Sequence, residues 1–252
     1  MKNTTTTTVP LGSPLYAQVK QAVLAALARG EWKQGEAVPP EKTLAERFGV
    51  SIGTLRKAID ELAAENILVR HQGRGTYVAV HTRNHHFFKF FRIVRQDGHK
   101  SYPATRLVRF RRVRANAAAR EYLSLPAGAY VFEFTNVLSL NGDVVMVDDI
   151  SVPEARFPGM TEQQLRERPS TLYAFYQDMF GVNVIATDER LRVCPADAAH
   201  AGWLGVAEHT PLLEIRRVAF SYNRQPVEWR ISRVNTQAYE YLGQEPGAAV
   251  AG

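Results

Sequence analysis

Between residues 15 and 27, Leu15, Val19, Val23, Ala26 and Leu27 recur every three or four positions, which predicts a helix with one apolar stripe. Ser13-Pro14 reads as an N-cap followed by proline at the first helical position, and Gly30 as the stop. After Pro39-Pro40, residues 41–48 predict a short second helix with Leu44, Ala45 and Phe48 inward, closed by Gly49. Ser51 is placed to cap a third helix that buries Leu55, Ile59 and Leu62. Its other side presents Ile52, Gly53, Arg56, Lys57 and Asp60. Two short apolar strands, 67–70 and 76–80, flank Gln72-Gly73-Arg74-Gly75, whose glycines permit a tight hairpin. Three helices and a hairpin make a winged helix, predicted over residues 14–80.

Residues 81–90 carry neither period and are read as a linker. Beyond them the pattern becomes strand-like, with alternation at 107–113, 130–140, 144–152, 212–222 and 227–234. Asn141-Gly142 and Tyr222-Asn223-Arg224 are hairpin turns between paired strands. Leu172, Phe175, Tyr176 and Met179 mark a helix before Gly181, and residues 196–204 suggest another. Strand pairs with helices between them predict an α+β domain on an antiparallel sheet, residues 91–245. Residues 1–13 are expected to be a disordered tail and 246–252 a flexible C-terminus.

Composition narrows the class. No hydrophobic run escapes interruption by Asp, Lys or Arg, so no membrane span is expected, and the threonine-rich start has no secretory pattern. One cysteine, Cys194, excludes an intrachain disulfide and a multi-cysteine zinc site. A cytoplasmic protein follows. The net charge of +6 is uneven: residues 14–80 carry +2, residues 81–120 carry +10 and residues 121–252 carry −7. The central block either attracts polyanions without reading sequence or is a solvated strand face balancing the acidic remainder.

The strings PLYAQVKQAV, GEAVPPEKTLAERFGVS and TLRKAIDELAAENILVRHQGRGTYV resemble the winged-helix domain of the GntR regulators across residues 14–78. LSLNGDVVMVDDISVP, STLYAFYQDMFGV, LGVAEHTPLLEIRRVAFSYNRQPVEW and AYEYL resemble, more loosely, the UTRA effector-binding domain of the HutC branch, which has a chorismate lyase-like fold. The resemblance implies a transcription regulator, most often a repressor, that leaves its operator when a small molecule binds.

It also implies site residues. Ser51, Ile52, Gly53, Thr54, Arg56 and Lys57 would lie in the major groove, where base edges are readable. Arg56 stands at the family's nearly invariant arginine, Lys42 would touch phosphate, and Gln72, Gly73 and Arg74 form the wing tip that probes the minor groove. Two positions depart from the pattern. Ile52 replaces a frequent arginine, and Pro39-Pro40-Glu41 lacks the usual serine. In HutC relatives two arginines before the hairpin bind an anionic ligand; here those positions are Asn136 and Leu138. Asp148, Thr171 and Glu228 match further family positions, and Val234 replaces a tyrosine. With Arg230 on the face of Glu228, a pocket of Asn136, Leu138, Asp148, Thr171, Glu228, Arg230 and Val234 is expected. Both charge signs there favour an amino-acid-like or organic-acid effector over a sugar phosphate. The alternative is that Asp148 and Glu228 only pair with Arg217 or Arg230 structurally.

A symmetric dimer is expected because one head covers one half-site of double-stranded DNA. Two other functions remain open. The lyase-like fold admits an enzyme, although no nucleophile elbow, phosphate loop or metal spacing is visible, so no catalytic residue, cofactor or metal is assigned. His81, His85 and His86 are better placed as part of a basic linker than as ligands. The second alternative is a non-specific nucleic-acid binder using residues 81–120.

Overall fold

The computed structural model describes residues 13–65, 67–79, 90–98 and 101–243. The predicted tail apart from Ser13, nearly all of the predicted linker with its three histidines, and the C-terminal segment lie outside the described residues. The chain divides into two compact units, one of residues 1–81 with 221–225 and the other of residues 82–220 with 226–252.

The first unit holds α1 (Leu15–Ala28), α2 (Glu41–Phe48) and α3 (Ile52–Ala64), then the wing strands β1 (Leu68–His71) and β2 (Gly75–Val78). The helices bury most of the stripes their sequence marks: Val19, Val23, Ala26 and Leu27 on α1, Leu44 and Ala45 on α2, Leu55, Ile59 and Leu62 on α3, whereas Leu15, expected in the α1 stripe, is exposed in the first turn. Leu55 and Leu62 are wholly removed from solvent, which stabilises by roughly 1.5–3 kcal/mol for each side chain. Phe48, expected inward, is half-buried. The first N-terminus differs from expectation. Pro14 itself is the N-cap, and no side chain caps the helix. Ser13 instead offers its backbone carbonyl to Gln18 Nε2 at 2.9 Å. Gly49 ends α2 at φ +64, so the chain turns sharply into α3.

The second unit is built on a six-stranded sheet in the order β4-β5-β6-β9-β8-β7. The strands are β4 (Ala104–Arg114), β5 (Tyr130–Leu140), β6 (Asp143–Pro153), β7 (Ala186–Pro195), β8 (Pro211–Ser221) and β9 (Gln225–Val234). Asn141 (φ +52) and Gly142 (φ +97) form the turn between β5 and β6, with the two positive φ values that an Asn-Gly hairpin favours. A separate ribbon pairs β3 (Ile93–Arg95) with β10 (Tyr239–Tyr241), holding segments from the two ends of the unit together.

Both faces of the central strands are covered. Phe132, Phe134, Ile150 and Val152 cluster with Phe157, Leu165, Phe175 and Tyr176 on one face. Val137, Val147 and Leu212 cluster with Ala201 and Leu204 on the other. Among the described residues, four short helices flank the sheet: α4 (Ala117–Tyr122), α5 (Glu162–Glu167), α6 (Leu172–Phe180) and α7 (Ala198–Leu204). The last begins two residues later than predicted, because Asp197 accepts from His200 N and so serves as its N-cap. Strand β7 went unpredicted because it is an edge strand with mainly exposed, polar positions. Helices α4 and α5 span six residues each, too few to show a period.

Candidate functional site

Two surfaces carry the predicted chemistry, one on each unit. On the first, Ser51 accepts a hydrogen bond from Thr54 N at 3.2 Å and lies 2.9 Å from the Thr54 hydroxyl. Both polar side chains are therefore engaged in fixing the start of α3. Ile52, Gly53, Arg56 and Lys57 face outward, with Ile52 43% exposed despite its apolar side chain. Arg56 Nε donates to Glu41 Oε2 at 2.6 Å. Glu41 also accepts from Arg70, whose other nitrogen lies 2.6 Å from Asp60. The chain Arg56–Glu41–Arg70–Asp60 links two helices to the wing strand. Glu41 and Arg70 were not among the predicted site residues, and no local period marks such a partnership.

Lys57 Nζ sits 4.0 Å above the Tyr16 ring, a cation–π contact joining α3 to α1. Lys42 is exposed on α2. At the wing tip the Arg74 N–H donates to the His71 carbonyl at 3.0 Å. Gly73 follows Gln72 with φ +71, the left-handed position that a type II turn demands. Tyr77 Oη donates to the Arg74 carbonyl at 3.1 Å, leaving the arginine side chain exposed.

On the second unit, register places Asn136 beside Asp148 and Asp148 beside Ser232. Arg230 lies between two carboxylates. Its Nη1 donates to Asp148 Oδ2 at 2.9 Å, and its Nε and Nη2 donate to the two Glu228 oxygens at 3.0 Å each. Glu228 also accepts from Tyr176 Oη at 2.7 Å and Tyr173 Oη at 3.0 Å. Ser232 Oγ donates to Asp148 at 2.5 Å. All of these carboxylates and the guanidinium are buried. Burial pushes the Asp148 carboxyl up from its ordinary value, against the pull of Arg230 and Ser232. The Tyr173 hydroxyl is pushed up to about 12, by burial first and then by Glu228. Burial works against the Arg230 charge, yet Glu228 and Asp148 hold it well above the usual arginine range.

The seven predicted effector residues thus separate into three groups. Asp148, Glu228 and Arg230 form one network, with Asn136 as the cross-strand neighbour of Asp148. Leu138 and Val234 belong to the adjoining apolar cluster with Met146, Ile215 and Tyr239. Thr171 caps α6, accepting from Ala174 N at 3.3 Å, so its hydroxyl acts on the helix that delivers Tyr173 and Tyr176. Those two tyrosines, three apart on α6, are the members that sequence reasoning left out. The structural pairing of Asp148 and Glu228 with Arg230 is real, while Arg217 pairs with Glu189 at 2.5 Å. A cleft of about 440 Å³ opens elsewhere, beside Gly142, Trp203, Gly205 and Gln237, and contains none of the seven.

The opposite sheet face has a second network. Asp149 accepts from Thr135 at 2.7 Å and Arg233 at 3.1 Å, and lies 3.0 Å from His200 Nε2. His200 Nδ1 lies 2.8 Å from Asp197. The basic strand β4 is also largely matched inside its own unit: Arg109 pairs with Asp149, Arg111 with Glu133 and Arg112 with Glu154.

A three-helix head with an outward-facing helix and a wing, followed by a sheet with a buried polar network, is the make-up of a DNA-binding regulator with a sensor domain. Residues 15–78 match the bacterial regulatory proteins of the gntR family, and residues 98–240 match the UTRA domain. The chain belongs to the gntR family, in the UTRA-bearing arrangement consistent with its HutC branch. It is 29% identical over 214 residues to the "Probable fructoselysine utilization operon transcriptional repressor" of Escherichia coli (strain K12), covering 84% of this chain and 87% of that protein. It is 28% identical over 218 residues to the "Histidine utilization repressor" of Pseudomonas putida, covering 85% of each. The ligand-binding domain of a GntR-family regulator from Bordetella bronchiseptica superposes with a TM-score of 0.59 at 30% identity, covering 62% of this chain and 98% of that structure.

Proposed function

We propose that this regulator is a transcriptional repressor that binds a two-fold operator as a homodimer and releases it when a small polar metabolite enters the sensor domain. The single observation that carries the reading is the exposed face of α3, where Ile52, Arg56 and Lys57 stand free of the core while Leu55, Ile59 and Leu62 hold the helix in place. Such a helix suits the major groove, and two heads related by a dyad suit two half-sites. The repressors named above support the sign of the response. Work on operator DNA would place the protein in the cytoplasm.

The effector is an amino-acid-like or organic-acid molecule rather than a sugar phosphate. Asn136 and Leu138 supply no positive charge, and the one guanidinium among the predicted pocket residues, Arg230, already holds two carboxylates. Fluorescence anisotropy with DNA flanking the gene tests the reading. Sequence-selective binding lost in Arg56→Ala supports it, and equal binding to unrelated DNA by both proteins contradicts it.

A further inference from the structure

We propose that the sensor site at Asp148, Glu228 and Asn136 takes a cationic nitrogen, an ammonium or similar N–H-bearing group, of its effector. This rests on the reading of that sheet face as the effector site.

The first argument is charge. The Asp148 and Glu228 side chains, 2% and 0% exposed, share the single guanidinium of Arg230. Arg217 is paired with Glu189 and draws on Asp148 less than Arg230 does, so it offsets their charge only in part. Arg168 donates to the Leu165 carbonyl and, among the described residues, makes no ion pair with either carboxylate. Two buried carboxylates on one directly bonded cation carry negative charge that is only partly offset, which burial answers by raising the Asp148 carboxyl and which an incoming counter-charge would also answer.

The second argument is independent of charge. Asn136 is 2% exposed, and among the described residues its side-chain oxygen is buried without a hydrogen-bond partner. An unmet buried acceptor is costly, and only a donor cures it. Asn136 is the direct cross-strand partner of Asp148, so the two Cβ atoms stand roughly 4.5–5.5 Å apart. One N–H-bearing group spans such a pair.

The donors already present complete the case. Ser232, Tyr173, Tyr176 and Arg230 all direct their hydrogens to Asp148 or Glu228. An incoming anion would meet acceptors, whereas a cation meets an uncommitted oxygen and surplus negative charge.

The test uses the full-length protein and thermal shift with matched compounds: L-lysine against hexanoate, L-histidine against imidazole propionate, cadaverine against pentanediol, and glucose and glucose phosphate as neutral and anionic controls. At least one amine should raise the melting temperature while its amine-free partner does not. Asp148→Asn and Asn136→Leu should each weaken that amine by about tenfold or more, and circular dichroism shows whether each variant is folded. Equal stabilisation by the amine-free acids, glucose or glucose phosphate overturns the cation assignment and leaves the effector site standing. No stabilisation by any compound overturns both. Should Asp148→Asn fail to fold, Asn136→Leu, which removes no charge, decides the question.

Discussion

Arg56 on the outward face of α3 donates its Nε to Glu41 at the start of α2 across 2.6 Å. The pair holds the guanidinium over the helix surface before any DNA arrives. Arg56 is 62% exposed as a side chain, so the ion pair itself adds little stability in water. Its consequence is orientation and a competition: nucleic acid must draw Arg56 away from Glu41 or be read while the pair persists.

Arg56→Ala is expected to lower affinity for the preferred operator by roughly 1–3 kcal/mol and to relax its sequence preference. Glu41→Gln should act differently, raising affinity for random DNA while narrowing the gap between operator and random sequence. Titrations of both variants on the same two DNAs separate these outcomes.

Ile52 offers a methyl surface where the resemblance implies a frequent arginine. Ile52→Arg should shift the preferred half-site towards guanine at one position, read by selection from a randomised library. An unchanged preferred sequence would show that Ile52 does not face a base.

The winged helix was almost wholly legible in sequence, because its information is local: three apolar stripes, a serine cap at Ser51 and glycines at the turns. The sheet was less so. Strands β5 and β6 are covered on both faces, so alternation marks them less sharply, and β7 at the edge carries mostly exposed side chains. Asp148, Glu228 and Arg230, expected together from strand alternation and resemblance, do share one hydrogen-bonded network. Tyr173, Tyr176 and the orphaned Asn136 oxygen were hidden because they depend on which helix crosses the sheet. The Arg-rich strand β4 illustrates the same limit, since its partners Glu133, Asp149 and Glu154 lie 22 to 42 residues away.

Arg230 is the centre of the buried network. Arg230→Met leaves Asp148 and Glu228 without their shared cation and should cost roughly 3–5 kcal/mol in chemical denaturation. Adding Asp148→Asn to that variant should recover part of the loss, since one fewer charge is then buried unpaired. A double-mutant cycle measures the coupling.

His200 gives a pH signature. Hydrogen bonding to Asp149, and to a lesser extent to Asp197, raises its pKa despite the opposing effect of burial. A raised folded-state value means that the protonated ring favours the fold. The stabilisation is fully present below the ordinary histidine value and is lost as pH rises through the folded-state value. Melting temperature should therefore fall across that upper window in the wild type, and this component should vanish in His200→Gln.

The paired arginines of β4 bear on the competing view of a non-specific binder. Arg111→Gln should leave operator affinity within about twofold, because Glu133 already holds that charge and a surface pair contributes little. A large fall in the salt dependence of binding would instead assign the strand to DNA.

The most direct measurement is a nuclease footprint of the full-length protein on DNA flanking its own gene, with wild type and Arg56→Ala side by side at fixed salt. The expected result is one short protected site with two-fold symmetry, absent for the variant. Protection spread evenly along the fragment, or a footprint identical for the two proteins, would contradict a repressor that reads its operator through α3.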